Sequence, residues 1–264
     1  MQKIIIVGAA SGMGKSLALF YSKKNIVAVA DKNITALQYI FSDKIVSDLI
    51  CEIDIYEIEN ARKLFFELVN KMGGLDILIY SAGIADRSGN WENELQQHNV
   101  NAIGFAAIAN AAFQYFKLNK FEGQIVGFSS VLAYRGLSQA QTYCAGKAFV
   151  HNYLQGLRHT SKAEKLNIHI TEICPGFVQT PMIENQTNTF WVTPIYKATQ
   201  QITKAINNKK KRVFISKRWE LIKIIIQFMP DCILYNSFLN RLIYRKKEMV
   251  SVRSKILIDK CQLL

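Results

Sequence analysis

The chain has no Cys-x-x-Cys pair; its five cysteines, Cys51, Cys144, Cys174, Cys232 and Cys261, are scattered. Its four histidines, His98, His151, His159 and His169, have no metal-ligand spacing. These absences predict reduced thiols, a cytoplasmic setting and no metal centre. A cleavable leader is not expected, because Met1 runs straight into a strand pattern. Toward the C-terminus, charges interrupt the apolar residues too often for a membrane span. The basic residues there form no ordered recognition motif, so nucleic acid is not an expected partner.

What is present is ample apolar material. Of the 264 residues, 50% are hydrophobic, which excludes a disordered chain and suffices for one medium domain with a large core. The net charge of +13 is unevenly spread. Residues 204–264 hold 15 Lys/Arg against 4 Asp/Glu, whereas the first 203 residues hold 18 against 16. The basicity belongs to the C-terminal quarter, where it can face anionic lipid, nucleic acid or solvent.

Chemistry concentrates between Ser129 and Lys147. Tyr143 and Lys147 are four apart, so on a helix they share one face and the ammonium can favour the ionised phenol. A phenol near pKa ~10 shuttles protons poorly at neutral pH, and bringing it toward ~7 takes roughly 4 kcal/mol. Ser130, expected at the end of the preceding strand, can hydrogen-bond the oxygen that Tyr143 protonates. A Tyr-x-x-x-Lys match alone arises about once by chance in such a chain, so its weight depends on its company.

That company begins at the N-terminus. An apolar run, residues 3–7, stops at Gly8-Ala9-Ala10-Ser11-Gly12-Met13-Gly14, and a helix pattern follows. Such a turn lets backbone approach a pyrophosphate at a helix N-terminus. Gly14-Lys15-Ser16 imitates the end of a P-loop, but Ala9 stands where its first glycine belongs, and residues 75–80 lack the terminal Asp that would hold magnesium. A second strand, 26–30, leads to Asp31, at the distance where a Rossmann unit places an acid on the adenosine ribose. Asp31 favours NAD(H); Lys32 beside it leaves NADP(H) open.

Taken together, Gly-x-x-x-Gly-x-Gly and a Ser thirteen residues before Tyr-x-x-x-Lys make the chain resemble the short-chain dehydrogenase/reductase family across residues 3–215. The resemblance implies a Rossmann-type α/β fold, a doubly wound parallel sheet flanked by helices, with ligand at the strand C-termini. It also implies cofactor contacts from Gly8, Ser11, Gly12, Met13 and Gly14, from Asp54 and Ile55 at the adenine, and from Ser81, Ala82 and Gly83, where the family reads Asn-Ala-Gly. Pro175, Val178 and Thr180 match the turn that holds the nicotinamide half, and Tyr143 and Lys147 also touch the cofactor. Asn101 fits a residue that anchors a water near the lysine, and Leu132, Tyr134 and Leu137 should line the substrate side. Val7 and Ser138 depart from the usual Thr and Pro.

Further strands are expected at 49–53, 75–80, 124–128, 167–173 and 212–215. One long helix is expected at 91–117, and another capped by Thr193 with Pro194 in its first turn. Residues 1–215 then form the catalytic domain and 216–264 a basic amphipathic helical extension broken at Pro230. That extension could dock over the substrate pocket, make a subunit contact, or lie on an anionic membrane surface. The resulting expectation is an NAD(P)-dependent oxidoreductase acting on a small, lipophilic carbonyl or alcohol, and a homo-oligomer. A non-catalytic dinucleotide sensor or scaffold, with its basic tail on membrane or nucleic acid, is the alternative.

Overall fold

The computed structural model describes residues 1–184 and 189–236. Seven strands, β1 (Lys3–Val7), β2 (Ile26–Asp31), β3 (Ile50–Glu52), β4 (Ile77–Tyr80), β5 (Gly123–Phe128), β6 (Ile168–Pro175) and β7 (Arg212–Ile215), pair in parallel in the order β3-β2-β1-β4-β5-β6-β7. The helices in chain order are α1 (Gly12–Tyr21), α2 (Ile34–Phe41), α3 (Ile58–Lys71), α4 (Trp91–His98), α5 (Phe105–Asn119), α6 (Gln141–Ala163), α7 (Pro181–Glu184), α8 (Ile195–Asn207), α9 (Arg218–Phe228) and α10 (Asp231–Asn236).

The central strands are continuous apolar runs because both sheet faces are covered. Ile4, Ile5 and Ile6 of β1 are wholly buried. On one face Leu17, Leu37, Phe41, Ile202 and Ile206 from α1, α2 and α8 close the core. On the other, Phe65, Phe105, Phe116 and Leu154 from α3, α5 and α6 do so. Each fully buried side chain of this size contributes about 2–3 kcal/mol through the area removed from water.

Register then aligns the strand ends. Val7 pairs with both Ala30 and Tyr80, Tyr80 with Gly127, and Phe128 with Ile173. The loops after β1, β2, β4, β5 and β6 therefore leave along one edge. The strand order reverses between β1 and β4, where such sheets open a ligand crevice.

Two local expectations need correction. The long helix at 91–117 is interrupted by a π-helical segment, Asn99–Gly104, between α4 and α5. The Tyr80 hydroxyl donates to the Val100 carbonyl at 2.8 Å, and Asn101 bonds sideways to Ile84, so the segment bulges to serve partners outside the helix. Thr193 does not cap α8: its backbone bridges to Val178, Pro194 is extended at ψ 142, and the helix starts at Ile195. The remaining differences are shifts of one or two residues at strand ends.

α9 and α10 follow β7 and are separated at Pro230, as the sequence suggests. The rest of the basic extension, from residue 237 on and including Tyr244, Arg245, Lys246 and Lys247, and residues 185–188 lie outside the described residues. No helix among the described residues is long and apolar enough to cross a membrane.

Candidate active site

The turn after β1 is shaped for a close ligand. Gly8 has φ +85, and a Cβ there would fall 2.4 Å from the Ala82 backbone nitrogen, so only glycine fits. A Cβ on Gly14 would meet the Gly8 carbonyl oxygen at 2.0 Å; Gly14 lets α1 press on the turn but does not itself line the cleft. Gly8, Ser11, Gly12 and Met13 do line it. Ser11 precedes α1 without a side-chain cap, leaving its first-turn amides to a ligand. A turn whose glycines pack this tightly on the neighbouring strand end and on α1, lining the cleft beside an uncapped helix start, fits a dinucleotide pyrophosphate.

The same cleft continues across the strand ends. Asp31 lines it beside Lys32, with Oδ2 accepting from Ala10 N at 3.0 Å and Oδ1 from Asn33 N at 3.1 Å. Asp54 accepts from Tyr56 N at 2.9 Å and lies in the cleft wall with the buried Ile55. Ser81, Ala82 and Gly83 form its floor. A Cβ on Gly83 would sit 3.4 Å from Lys147 Nζ, which measures how closely this wall approaches the next group of residues.

There Ser130, Tyr143 and Lys147 meet in the wall of a second cavity, contiguous with the first through Met13, Ser81, Gly83 and Thr180. Ser130 leaves the end of β5 in extended backbone, its Oγ accepting from Leu132 N at 3.1 Å and lying close enough to the Tyr143 phenol to favour its ionised form. One turn along α6, Lys147 is 5% exposed and donates from Nζ to the Phe128 carbonyl at 2.9 Å; Nζ is 5.7 Å from the Tyr143 ring centroid. Burial pulls the Lys147 ammonium down to about 8.

Burial pushes Tyr143 up to about 12, although the nearby Ser130 hydroxyl and Arg87 charge oppose it. Desolvation of the phenolate outweighs what the surrounding groups return.

Asn101 lies at the same place, 1% exposed, but its amide is turned to the loop after β4. Nδ2 donates to Ile84 O at 2.8 Å and Oδ1 accepts from Ile84 N at 2.9 Å, so the side chain clamps that loop. Pro175, Val178 and Thr180 reach the cavity from the end of β6 and the turn after it, and Leu132 and Leu137 form part of its wall. Tyr134 does not. Its ring is drawn behind the wall by His151, Arg212 and Lys223, with Lys223 Nζ 4.6 Å from the centroid.

Sequence reasoning missed most of the apolar wall. Phe177, Phe190, Trp219 and Ile226 line the cavity, and a Cβ on Gly176 would strike the Trp219 ring at 2.1 Å. Of the placements open for the extension, α9 takes the one over the pocket. The signal was the apolar breadth of α9 and the glycine in Pro-Gly, neither of which names its partner. Arg87 at the rim was also missed.

Behind Ser130 a second charged group is buried. Glu172 of β6 is wholly inaccessible; Oε1 accepts from Ser129 Oγ at 2.7 Å and contacts His151 Nδ1 at 2.8 Å, and Oε2 accepts from Arg212 Nε at 2.7 Å. Burial alone would raise its carboxyl, but His151 and Arg212 outweigh that and hold it down to about 2. Ser129, the residue before Ser130, is bonded into this group. Among the described residues no cluster of His, Cys, Asp and Glu could hold a metal.

Comparison with known proteins bears on the family and the fold. The short chain dehydrogenase family model matches residues 2–190. The mouse (Mus musculus) 15-hydroxyprostaglandin dehydrogenase [NAD(+)] is 30% identical over 193 residues, covering 69% of each chain. A short chain dehydrogenase from Burkholderia cenocepacia J2315, solved in complex with NADP, superposes with a TM-score of 0.74 at 19% identity over 92% of this chain and 98% of its own. A Sphingobium yanoikuyae short-chain dehydrogenase in complex with NADPH gives 0.72 at 18% identity over 86% and 94%.

Proposed function

The chain belongs to the short-chain dehydrogenase family, and from that premise we propose that it is an NAD(P)-dependent oxidoreductase interconverting an alcohol and a ketone or aldehyde. The observation that carries this reading is the meeting of Ser130, Tyr143 and Lys147 between a glycine-cradled cleft and an apolar cavity. When bound, the nicotinamide supplies or accepts the hydride, and its oxidised ring adds positive charge beside the phenol.

The chain's own groups handle the proton. Ser130 orients the substrate oxygen and Tyr143 exchanges a proton with it. A phenol held up to about 12 stays protonated at neutral pH, which suits donation to a carbonyl oxygen. Removing substrate protons near pH 7 instead asks for about 7 kcal/mol of phenolate stabilisation. Lys147, at about 8, is mostly an ammonium at neutral pH, can supply part of that and would hold the nicotinamide ribose. Asn101 keeps the loop after β4 against this group, leaving Gly83 close to the ligand.

Asp31 at the adenosine end of the cleft supports NAD(H), because a carboxylate accepts from two ribose hydroxyls and repels a 2′-phosphate. The apolar wall supports a lipophilic substrate. Parallel fluorescence titrations with NADH and NADPH test the reading. Tight NADH binding is expected, and NADPH preference would transfer the specificity to Lys32. Binding of neither would overturn the oxidoreductase.

A further inference from the structure

α9 is apolar on two opposite faces. Trp219 and Ile226, at 4% and 2% exposure, roof the cavity, and the half-buried Ile222 packs against them. On the far side Leu221, Ile224, Ile225 and Phe228 stand 63%, 46%, 44% and 75% exposed. Their spacing of three, four and seven residues makes one continuous stripe. Past the break at Pro230, Ile233 is 52% exposed. Glu220, Lys223 and Gln227 fall on the polar side between these two faces, and a helix apolar on opposite faces is one that something covers on both.

We infer that this outer stripe of α9 docks the protein onto an anionic lipid surface. Charge selects that occupant. The described residues 204–236, within which the stripe lies, carry 8 Lys/Arg against 2 Asp/Glu. The exposed Lys217 and Arg218 open the helix. Basic residues interleaved with exposed apolar side chains fit the headgroup boundary of an acidic bilayer, where both contribute. A second copy meeting this face would bring the same excess of positive charge against it. A nucleic acid would use the bases and leave Leu221, Ile225 and Phe228 in water. Docking places the helix that roofs the cavity at the lipid boundary, and it is independent of turnover at the site.

The test is co-sedimentation of the full chain with two kinds of vesicle. One is phosphatidylcholine alone; in the other about one third is phosphatidylglycerol. At least ~10-fold more protein should pellet with the anionic vesicles, falling as salt rises. Leu221→Gln with Phe228→Gln should cut pelleting by ~10-fold at an unchanged melting temperature, because both side chains are exposed. Should that pair unfold, the single variant Phe228→Ser is read the same way, and the parent's preference for anionic over neutral vesicles stands as a separate measurement. No pelleting, equal pelleting with both vesicles, or pelleting unchanged in folded variants overturns the inference. So does a dimer that the same variants dissociate, which assigns the stripe to a second copy, or binding to duplex DNA without binding to vesicles.

Discussion

Replacing Glu172 by Gln isolates one buried charge. The carboxylate has no exposed surface, and its partners move it from an ordinary 4.5 to about 2. A carboxyl with a depressed folded-state pKa stabilises the fold above its unfolded value, and that stability is lost as pH falls from 4.5 toward about 2. The difference corresponds to about 3 kcal/mol at pH 7. Glu172→Gln forfeits it and leaves the Arg212 and Arg158 guanidiniums without their carboxylate. For a chain of this size the expected drop in melting temperature is roughly 6 to 12 °C. Calorimetry of parent and variant at pH 7, 5, 4 and 3 reads it. The gap should be full at pH 7 and 5 and narrow at 4 and 3, since only the parent protonates this group. A gap under about 2 °C at pH 7, or one that ignores pH, would refute the reasoning.

Three further outcomes are expected. Tyr143→Phe should leave NADH binding near normal and lower turnover by ~10²-fold or more, and a variant that retains turnover would sink the proton-transfer role. Gly8→Ala should cost more than ~2 kcal/mol and abolish NADH binding, because its Cβ meets the Ala82 nitrogen at 2.4 Å on a backbone at φ +85; a bound, stable variant would contradict the close packing. Lys147 loses its ammonium as pH rises through about 8, so NADH affinity measured by fluorescence should weaken between pH 7 and 9, and Lys147→Met should flatten that dependence.

Much of the site was legible because its residues obey local rules. Gly8 and Gly12 take positive φ that other residues adopt only with strain, Asp31 ends a strand, and Tyr143 and Lys147 are one turn apart whatever surrounds the helix. Tyr134 was misplaced because three cations or imidazoles from His151, Arg212 and Lys223 draw it to the wrong side of the wall, and they lie 17, 78 and 89 positions away in sequence. The π-helical segment escaped notice for the same reason. The hydroxyl bonded to its Val100 carbonyl belongs to Tyr80, 20 residues upstream on β4.

The sequence by itself determined the alternation of apolar strands and amphipathic helices, the glycine turn and the order of the reacting side chains. These follow from backbone sterics and from spacing along a helix or strand, which are properties of neighbours in the chain. Only the tertiary structure decided the surroundings. Register brought five loops to one edge, α9 folded back to roof the cavity, and Glu172 was sealed beneath Ser129 with two arginines. It also set the burial that pushes Tyr143 up, because a pKa depends on how much water is excluded by segments distant in sequence, and no spacing rule along the chain contains that quantity.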